Sequence, residues 1–152
     1  MIYLLSWYIQ DFLHVLGTGT ALVPEVFLLT LIVLSVFAPR RGTEILWVAF
    51  IGGVAWDLRW VGFPGITSLV YGITLTALQW FWNSLPLSGR TVHLFGAALL
   101  AASIPIALTR IFLSGLRGSD LFMAWLLQQS YMLPLLLLAC VLYSWRLRNR
   151  DV

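Results

Sequence analysis

The sequence predicts an all-α integral membrane fold, a bundle of six transmembrane helices, and two observations favour this class. Hydrophobic residues make up 61% of the 152-residue chain, whereas charged residues make up only 10%. Soluble domains average about 45–50% apolar and about 25% charged residues. The apolar residues also form long continuous blocks instead of recurring at every third or fourth position. This pattern is typical of helices surrounded by lipid and by other helices.

Clusters of glycine, proline and charged residues divide the chain into six predicted helices of a single membrane domain, residues 1–152. These helices cover about residues 2–16, 25–38, 44–58, 65–84, 92–114 and 120–145. A helix needs about 20 residues to cross a hydrocarbon core about 30 Å thick. The second and third helices are shorter, so they require flanking residues, a locally thinner bilayer or partial burial in protein. Five crossings remain the alternative if the first helix lies at the membrane interface.

The arginines indicate the direction of the chain through the bilayer. All nine basic residues are arginines, and cytoplasmic loops of membrane proteins carry an excess of positive charge. With six helices and an internal N-terminus, the cytoplasmic side receives Arg40, Arg41, Arg90, Arg146, Arg148 and Arg150. The outer half receives Arg59, Arg110 and Arg117. The sequence therefore favours a multi-pass protein with both ends in the cytoplasm.

Acidic residues collect toward the opposite side of the predicted bundle. A charge inside a membrane costs at least about 2.5–3.5 kcal/mol at a helix centre and is usually paired in the protein interior. We expect Glu25, Asp57 and Arg110 to form a polar cluster in which the Arg110 guanidinium bridges both carboxylates. Glu25 follows Pro24 at an expected first helical turn, where a carboxylate also interacts with the helix dipole. Arg59 lies beside this cluster.

Three interpretations of these charges stay open at this stage. They are structural pairing and capping, a polar patch that binds a partner, and transfer of an ion or proton. Small residues indicate close helix packing in two further places. Ala97 and Ala101, like Ala98 and Ala102, have a small-xxx-small spacing, and "FIGGVAWD" contains Gly52 and Gly53. Packing within the bundle and packing against another protein are both compatible with this spacing.

Nothing in the sequence predicts a catalytic, cofactor or metal site. Cys140 lies in an apolar run, and His14 and His93 have no metal-ligand spacing around them. Membrane-embedded transfer enzymes need acids, bases or metal ligands on loops that converge on a pocket. The loops of this chain are short and poor in such residues. We therefore expect a non-enzymatic protein without a cofactor.

The order of several motifs resembles the rod shape-determining protein MreD family. That family has a proline and an acid at the start of the second helix and an Arg-Gly turn before the third. Its glycine-rich third helix ends in aspartate, and a glycine-containing loop follows. The matching positions here are Pro24, Glu25, Arg41, Gly42, Gly52, Gly53, Asp57, Gly62 and Gly65. The resemblance covers about residues 17–75; Glu25 stands where aspartate is more usual.

The resemblance implies a scaffold subunit of the bacterial cell-elongation machinery, located in the cytoplasmic (inner) membrane. Its implied partners are a bitopic MreC-like protein, MreB filaments, a RodA-type peptidoglycan polymerase and the associated transpeptidase. The implied helical arrangement is similar to the substrate-binding subunits of energy-coupling-factor transporters. A small-molecule-binding subunit of such a transporter is therefore the alternative function. Those subunits carry an Ala-xxx-Ala motif in the first helix, but residues 2–16 contain no alanine.

Overall fold

The computed structural model describes residues 1–17, 23–113 and 119–149, and no β-strand occurs among them. Six α-helices account for most of these residues: α1 (Ile2–Leu16), α2 (Val26–Phe37), α3 (Gly42–Trp56), α4 (Ile66–Ser84), α5 (Val92–Leu113) and α6 (Ser119–Arg148). Their bounds agree closely with the six predicted blocks. The all-α prediction is therefore confirmed.

Two of the described helices are long and apolar enough to cross a membrane. They are Val92–Leu113, with a mean hydropathy of 1.9, and Phe122–Arg148, with a mean hydropathy of 1.6. Helices α1, α2 and α3 have 15, 12 and 15 residues, fewer than the roughly 20 that a full crossing needs. The structure thus supports membrane association through two helices.

Helix α2 lies at the centre of the bundle. It packs against α1, α3, α4 and α5, and α6 packs mainly against α5. Helix α2 has apolar side chains on nearly all sides, so a central position removes most of its surface from solvent. Phe27, Leu28, Leu31 and Ile32 are each exposed by 2% or less. The hydrophobic core therefore surrounds α2.

The connection from α3 to α4 is a short, sharply turned segment. A π-helical turn, Asp57–Val61, continues α3 and ends at Gly62. Gly62 and Gly65 have φ angles of 77° and 110°, values that residues with a Cβ rarely adopt. These two glycines let the chain reverse direction within a few residues, and α4 returns along α3.

The approach of α3 to α4 depends on Gly53. A Cβ atom at this position would lie 2.6 Å from the Cα and 2.7 Å from the backbone nitrogen of Ser68. The neighbouring Gly52 faces the Phe27 ring of α2, and its carbonyl oxygen accepts a hydrogen bond of 3.1 Å from Trp7 Nε1 of α1. The glycine pair thus serves packing within the bundle, one of the two uses that the sequence left open.

Candidate functional site

The Glu25 carboxylate is the most highly connected polar group that the structure describes. Its Oε1 accepts a 2.6 Å hydrogen bond from Arg110 Nε. Its Oε2 accepts from Gln10 Nε2 at 2.9 Å, from the Tyr71 hydroxyl at 3.0 Å and from Arg110 Nη2 at 3.3 Å. Glu25 is only 2% exposed. We call Glu25, its partners Gln10, Tyr71, Arg110 and Met132, and the adjacent Trp56 the Glu25 cluster.

This cluster joins all six helices. Gln10, Tyr71 and Arg110 belong to α1, α4 and α5, and Glu25 itself directly precedes α2. The Glu25 amide donates to the Met132 sulfur of α6 at 3.1 Å. The Arg110 guanidinium lies over the Trp56 ring of α3, 4.1 Å from its centroid. The Glu25 carboxylate therefore binds side chains of α1, α4 and α5 directly, and its own amide and Arg110 extend these contacts to α6 and α3.

The expected contact between Arg110 and Asp57 is not formed. Among the described residues, the Asp57 carboxylate instead accepts from the backbone amides of Gly65 at 2.8 Å and Thr67 at 2.9 Å, both through Oδ2. These amides belong to the N-terminus of α4, where backbone N–H groups have no partner within their own helix. Asp57 therefore caps α4 from the end of the neighbouring helix. The prediction that Arg110 bridges both carboxylates is wrong, because Arg110 pairs with Glu25 and not with Asp57 among the described residues.

The expected role of Glu25 in its own helix also differs. Glu25 makes no side-chain cap hydrogen bond to α2, because its carboxylate faces the partners of the Glu25 cluster. The amide of Phe27 instead donates to Gln10 Oε1 at 2.8 Å. Gln10 thus uses its oxygen to cap α2 and its nitrogen to bind Glu25. The N-terminus of α2 is held by α1 and not by the acid that precedes it.

Arg59 pairs with Asp11 and not with a residue of the Glu25 cluster. Arg59 Nε lies 2.8 Å from Asp11 Oδ1, and the same oxygen accepts a 2.9 Å hydrogen bond from Trp60 Nε1. The centroid of the His14 ring lies 4.4 Å from that of Trp60 and 5.2 Å from that of Trp56. This second group, Asp11, Arg59, Trp60 and His14, connects the exposed end of α3 to the Trp56 side of the Glu25 cluster.

The four α5 alanines with small-xxx-small spacing fall into two pairs with different surroundings. Ala98 and Ala102 are 9% and 6% exposed and belong to the core. Ala97 and Ala101 are exposed and line an apolar groove of about 560 Å³ between α4 and α5. Ala98 and Ala102 border the buried side of the same groove, so they pack within the bundle, whereas Ala97 and Ala101 face outward.

The described arginines outside these two groups lie together at the other end of the bundle. Arg40 and Arg41 follow α2, Arg90 precedes α5, and Arg146 and Arg148 end α6. Arg150 lies outside the described residues. Contacts of α6 hold these segments close. Arg146 lies over the Phe37 ring at the end of α2, 4.6 Å from its centroid, and the Tyr143 hydroxyl donates to the Arg90 carbonyl before α5 at 3.1 Å.

Sequence reasoning did not identify Gln10, Tyr71 or Met132 as parts of the Glu25 cluster. Gln10 has one available signal, because it is an uncharged polar residue beside Asp11 in a largely apolar helix. Tyr71 and Met132 have none, since aromatic and sulfur-containing residues are common in apolar helices. Their contacts arise only when helices distant in the sequence pack together.

The chemistry of the site is that of a satisfied ion pair. Both oxygens of Glu25 accept hydrogen bonds, and its charge is balanced by Arg110 in a largely buried setting, with side-chain exposures of 3% and 11%. Among the described residues, no three His, Cys, Asp or Glu side chains are grouped to hold a metal ion. The arrangement can fix helix positions and present a defined outer surface.

Fold and site together define an all-helical protein with two membrane-capable helices and a buried polar cluster that connects the bundle. Comparison with protein-family models, with curated proteins and with solved structures finds no match to this chain.

Proposed function

We propose that this chain is a non-enzymatic scaffold subunit of the bacterial cell-elongation machinery, similar to the MreD family. In this proposal all six helices cross the cytoplasmic membrane, and both chain ends lie inside the cell. The bundle binds a bitopic MreC-like protein. Through it, the bundle links MreB filaments to wall synthesis by a RodA-type polymerase and its transpeptidase.

The observation that carries the proposal is the structural use of the residues on which the resemblance depends. Glu25 joins the helices, and Asp57 caps α4. Gly53 permits the contact of α3 with α4, and Gly62 and Gly65 form the turn between them. The residues that match the family pattern thus stabilise one helical arrangement together, which a chance resemblance would not require. We expect this shared structural role if the chain has the same helical arrangement as the MreD family.

Six crossings fit the chemistry of the two ends of the bundle. The helices alternate in direction, as the contacts of Gln10 with Glu25, of Ser103 with Gln129 and of Tyr143 with Arg90 indicate. Five described arginines collect at one end, whereas the Glu25 cluster lies toward the other. Short helices are compatible with a bilayer where the protein buries their ends or thins the lipid locally.

A binding function also fits the state of the polar groups. A catalytic acid or base needs free hydrogen-bonding capacity toward a substrate. The Glu25 carboxylate already accepts four hydrogen bonds from three side chains. Its use is therefore structural, and the recognition of partners falls to the surfaces that the bundle presents.

The test is co-purification of a tagged, native-level copy in a gentle detergent, followed by mass spectrometry. A membrane protein of similar helix number, tagged at the same level, is the control. Specific recovery of a bitopic MreC-like protein together with a peptidoglycan polymerase is the expected result. Recovery of neither, from cells in which the tagged chain is folded and abundant, would contradict the scaffold function.

A transporter subunit is the second candidate, and one observation favours it. Ala97 and Ala101 are exposed at Ala-xxx-Ala spacing along the groove between α4 and α5, so a small-residue docking stripe exists although α1 has none. Recovery of ATPases with a large membrane coupling subunit in the same experiment would replace the scaffold with this function.

A further inference from the structure

We propose that the arginine end of the bundle binds the head groups of anionic phospholipids. The arginine end is defined as Arg40, Arg41, Arg90, Arg146 and Arg148. The inference rests on the membrane placement proposed above but not on the identity of any protein partner. Its ligand is the phosphodiester of a lipid with net negative charge.

Tertiary contacts, and not sequence proximity, create this surface. The Phe37 ring of α2 stacks on Tyr143 of α6 with 6.1 Å between centroids, and Arg146 covers the same Phe37 ring. Phe37 lies three residues before Arg40 in the chain. Because of these contacts, the basic end of α6 lies beside the basic turn that follows α2.

Within residues 1–17, 23–113 and 119–149, the positive charge of this surface has little compensation. Glu44 is the acid near it among the described residues, and it lies 4.0 Å from Arg41 and accepts from the Tyr3 hydroxyl at 3.3 Å. Arg90 is held by its own turn, since its guanidinium donates to the Leu85 carbonyl at 3.3 and 3.2 Å. Among the residues that the structure describes, five arginines thus lie near one glutamate.

Two of the arginines are available to a ligand. Arg40 and Arg148 are exposed, and neither has a hydrogen bond or ion pair within the described parts of the chain. Guanidinium groups bind phosphate oxygens in pairs of parallel hydrogen bonds. Removing these two side chains therefore tests binding without breaking a contact inside the bundle.

Aromatic and apolar side chains around the arginine end favour a lipid over an acidic protein. Trp145, next to Arg146, is 64% exposed, Trp80 is 73% exposed and Leu87 is 76% exposed. Trp80 belongs to this end because its neighbour Gln79 lies against Gly42, which follows Arg41. Exposed tryptophans beside arginines match the boundary between acyl chains and head groups.

The experiment uses the full chain in nanodiscs that contain equal amounts of phosphatidylglycerol and phosphatidylcholine with identical acyl chains. Native mass spectrometry counts the lipids that stay bound after release. We expect phosphatidylglycerol to exceed phosphatidylcholine by at least about fivefold, as one or more arginines at an anionic surface would produce. The Arg40→Ala/Arg148→Ala variant should lower this ratio clearly, because the two exposed arginines without a partner in the described parts of the chain are removed.

The matched control is Arg40→Lys/Arg148→Lys, which keeps the positive charges and should keep most of the preference. Equal binding of both lipids by the wild-type chain, or an unchanged ratio in the alanine variant, would overturn the proposal. Saturable binding of a labelled polyglutamate peptide without any lipid preference would also overturn it. That result would assign the surface to an acidic protein. Failure of the wild-type chain to enter nanodiscs would instead contradict the proposal that the chain spans a membrane.

Discussion

The ion pair between Glu25 and Arg110 is the residue-scale feature on which the bundle depends most. Removing two charges from water is costly, and the mutual attraction repays this cost only when further hydrogen bonds satisfy both groups. Gln10 and Tyr71 supply such bonds to Glu25, and the Trp56 ring covers Arg110. Loss of either charge leaves the other one buried without a counter-charge.

We therefore expect Glu25→Gln and Arg110→Met each to lower the free energy of unfolding by about 3–5 kcal/mol. The double variant should lose clearly less than the sum, because the second substitution removes the unpaired charge. Thermal unfolding in detergent, followed by tryptophan fluorescence, measures these losses. Where a single variant does not accumulate, the yield of monodisperse protein replaces the unfolding curve.

Asp57→Asn combined with Arg110→Met is the control for this cycle. These two side chains share no hydrogen-bond partner among the described residues, so their effects should add nearly completely. Strictly additive losses for Glu25 and Arg110 as well would show that this pair is not coupled.

Asp57 gives a second prediction at this scale. Its carboxylate holds two backbone amides of α4 through one oxygen, and an asparagine oxygen can accept both bonds. Asp57→Ala should destabilise the protein by about 1–3 kcal/mol because both buried amides lose their partner. Asp57→Asn should retain most of the stability. Equal losses for the two variants would mean that the negative charge, and not the cap, is what matters.

At the scale of the elements, helix α5 presents neighbouring alanines to different environments. Ala98 is in the core, whereas Ala97 is exposed along the groove. Ala98→Leu should destabilise the protein by about 1–3 kcal/mol because Ala98 packs among core residues that the larger side chain must displace. Ala97→Leu should change stability by no more than about 0.5 kcal/mol. The melting temperatures of the two variants in one detergent compare them, and a larger loss for Ala97→Leu would contradict this orientation of α5.

The contact between α3 and α4 allows a similar comparison of two glycines. A Cβ at Gly53 would collide with the backbone of Ser68, whereas a Cβ at Gly72 of α4 meets nothing within 4 Å. Gly53→Ala should therefore lower stability by about 1–3 kcal/mol, since a helix must shift to admit the methyl group. Gly72→Ala should raise stability by about 0.5–1 kcal/mol through its higher helix propensity. Equal effects on the yield and melting temperature would show that α3 and α4 do not approach at Gly53.

At the scale of the whole molecule, the arrangement of helix ends predicts which residues share a side of the membrane. Cys140 is the sole cysteine, so Cys140→Ser provides a background for single reporter cysteines. Thr43→Cys and Asn149→Cys should react with an impermeant maleimide only after spheroplasts are opened. Phe63→Cys, at the opposite end of α3, should react in intact spheroplasts. Labelling of Thr43→Cys and Phe63→Cys from the same side would contradict six crossings.

The sequence predicts the helices well because their signal is local. Continuous apolar blocks bounded by glycine, proline and charge are visible without any knowledge of packing. The observed helices follow these blocks, including α1 and α5. The glycines of the turn after α3 are equally readable, since sharp reversals need residues that tolerate positive φ. The sequence predicts membrane crossing less clearly for α1, α2 and α3, because their apolar segments are short for a bilayer.

The partners of the charged residues were not predictable in the same way. The sequence indicates that Glu25, Asp57, Arg59 and Arg110 belong toward one end, but it contains no information on pairing. Arg59 contacts Asp11 across 48 positions, and Arg110 contacts Glu25 across 85. Each pairing depends on which faces of two helices meet, and a rotation of either helix would exchange the partners.

By itself, therefore, the sequence determined the all-helical class, the positions of the six helices, the turn after α3 and the sorting of charges toward the two ends. These properties follow from apolar length, backbone conformation and charge along the chain. Only the tertiary structure decided that the Glu25 cluster connects all six helices, that Asp57 caps α4 and that Arg146 packs on the end of α2, beside the basic turn. The physical reason is that hydrogen bonds and ion pairs act over a few ångströms, so their partners are chosen by packing and not by order in the chain.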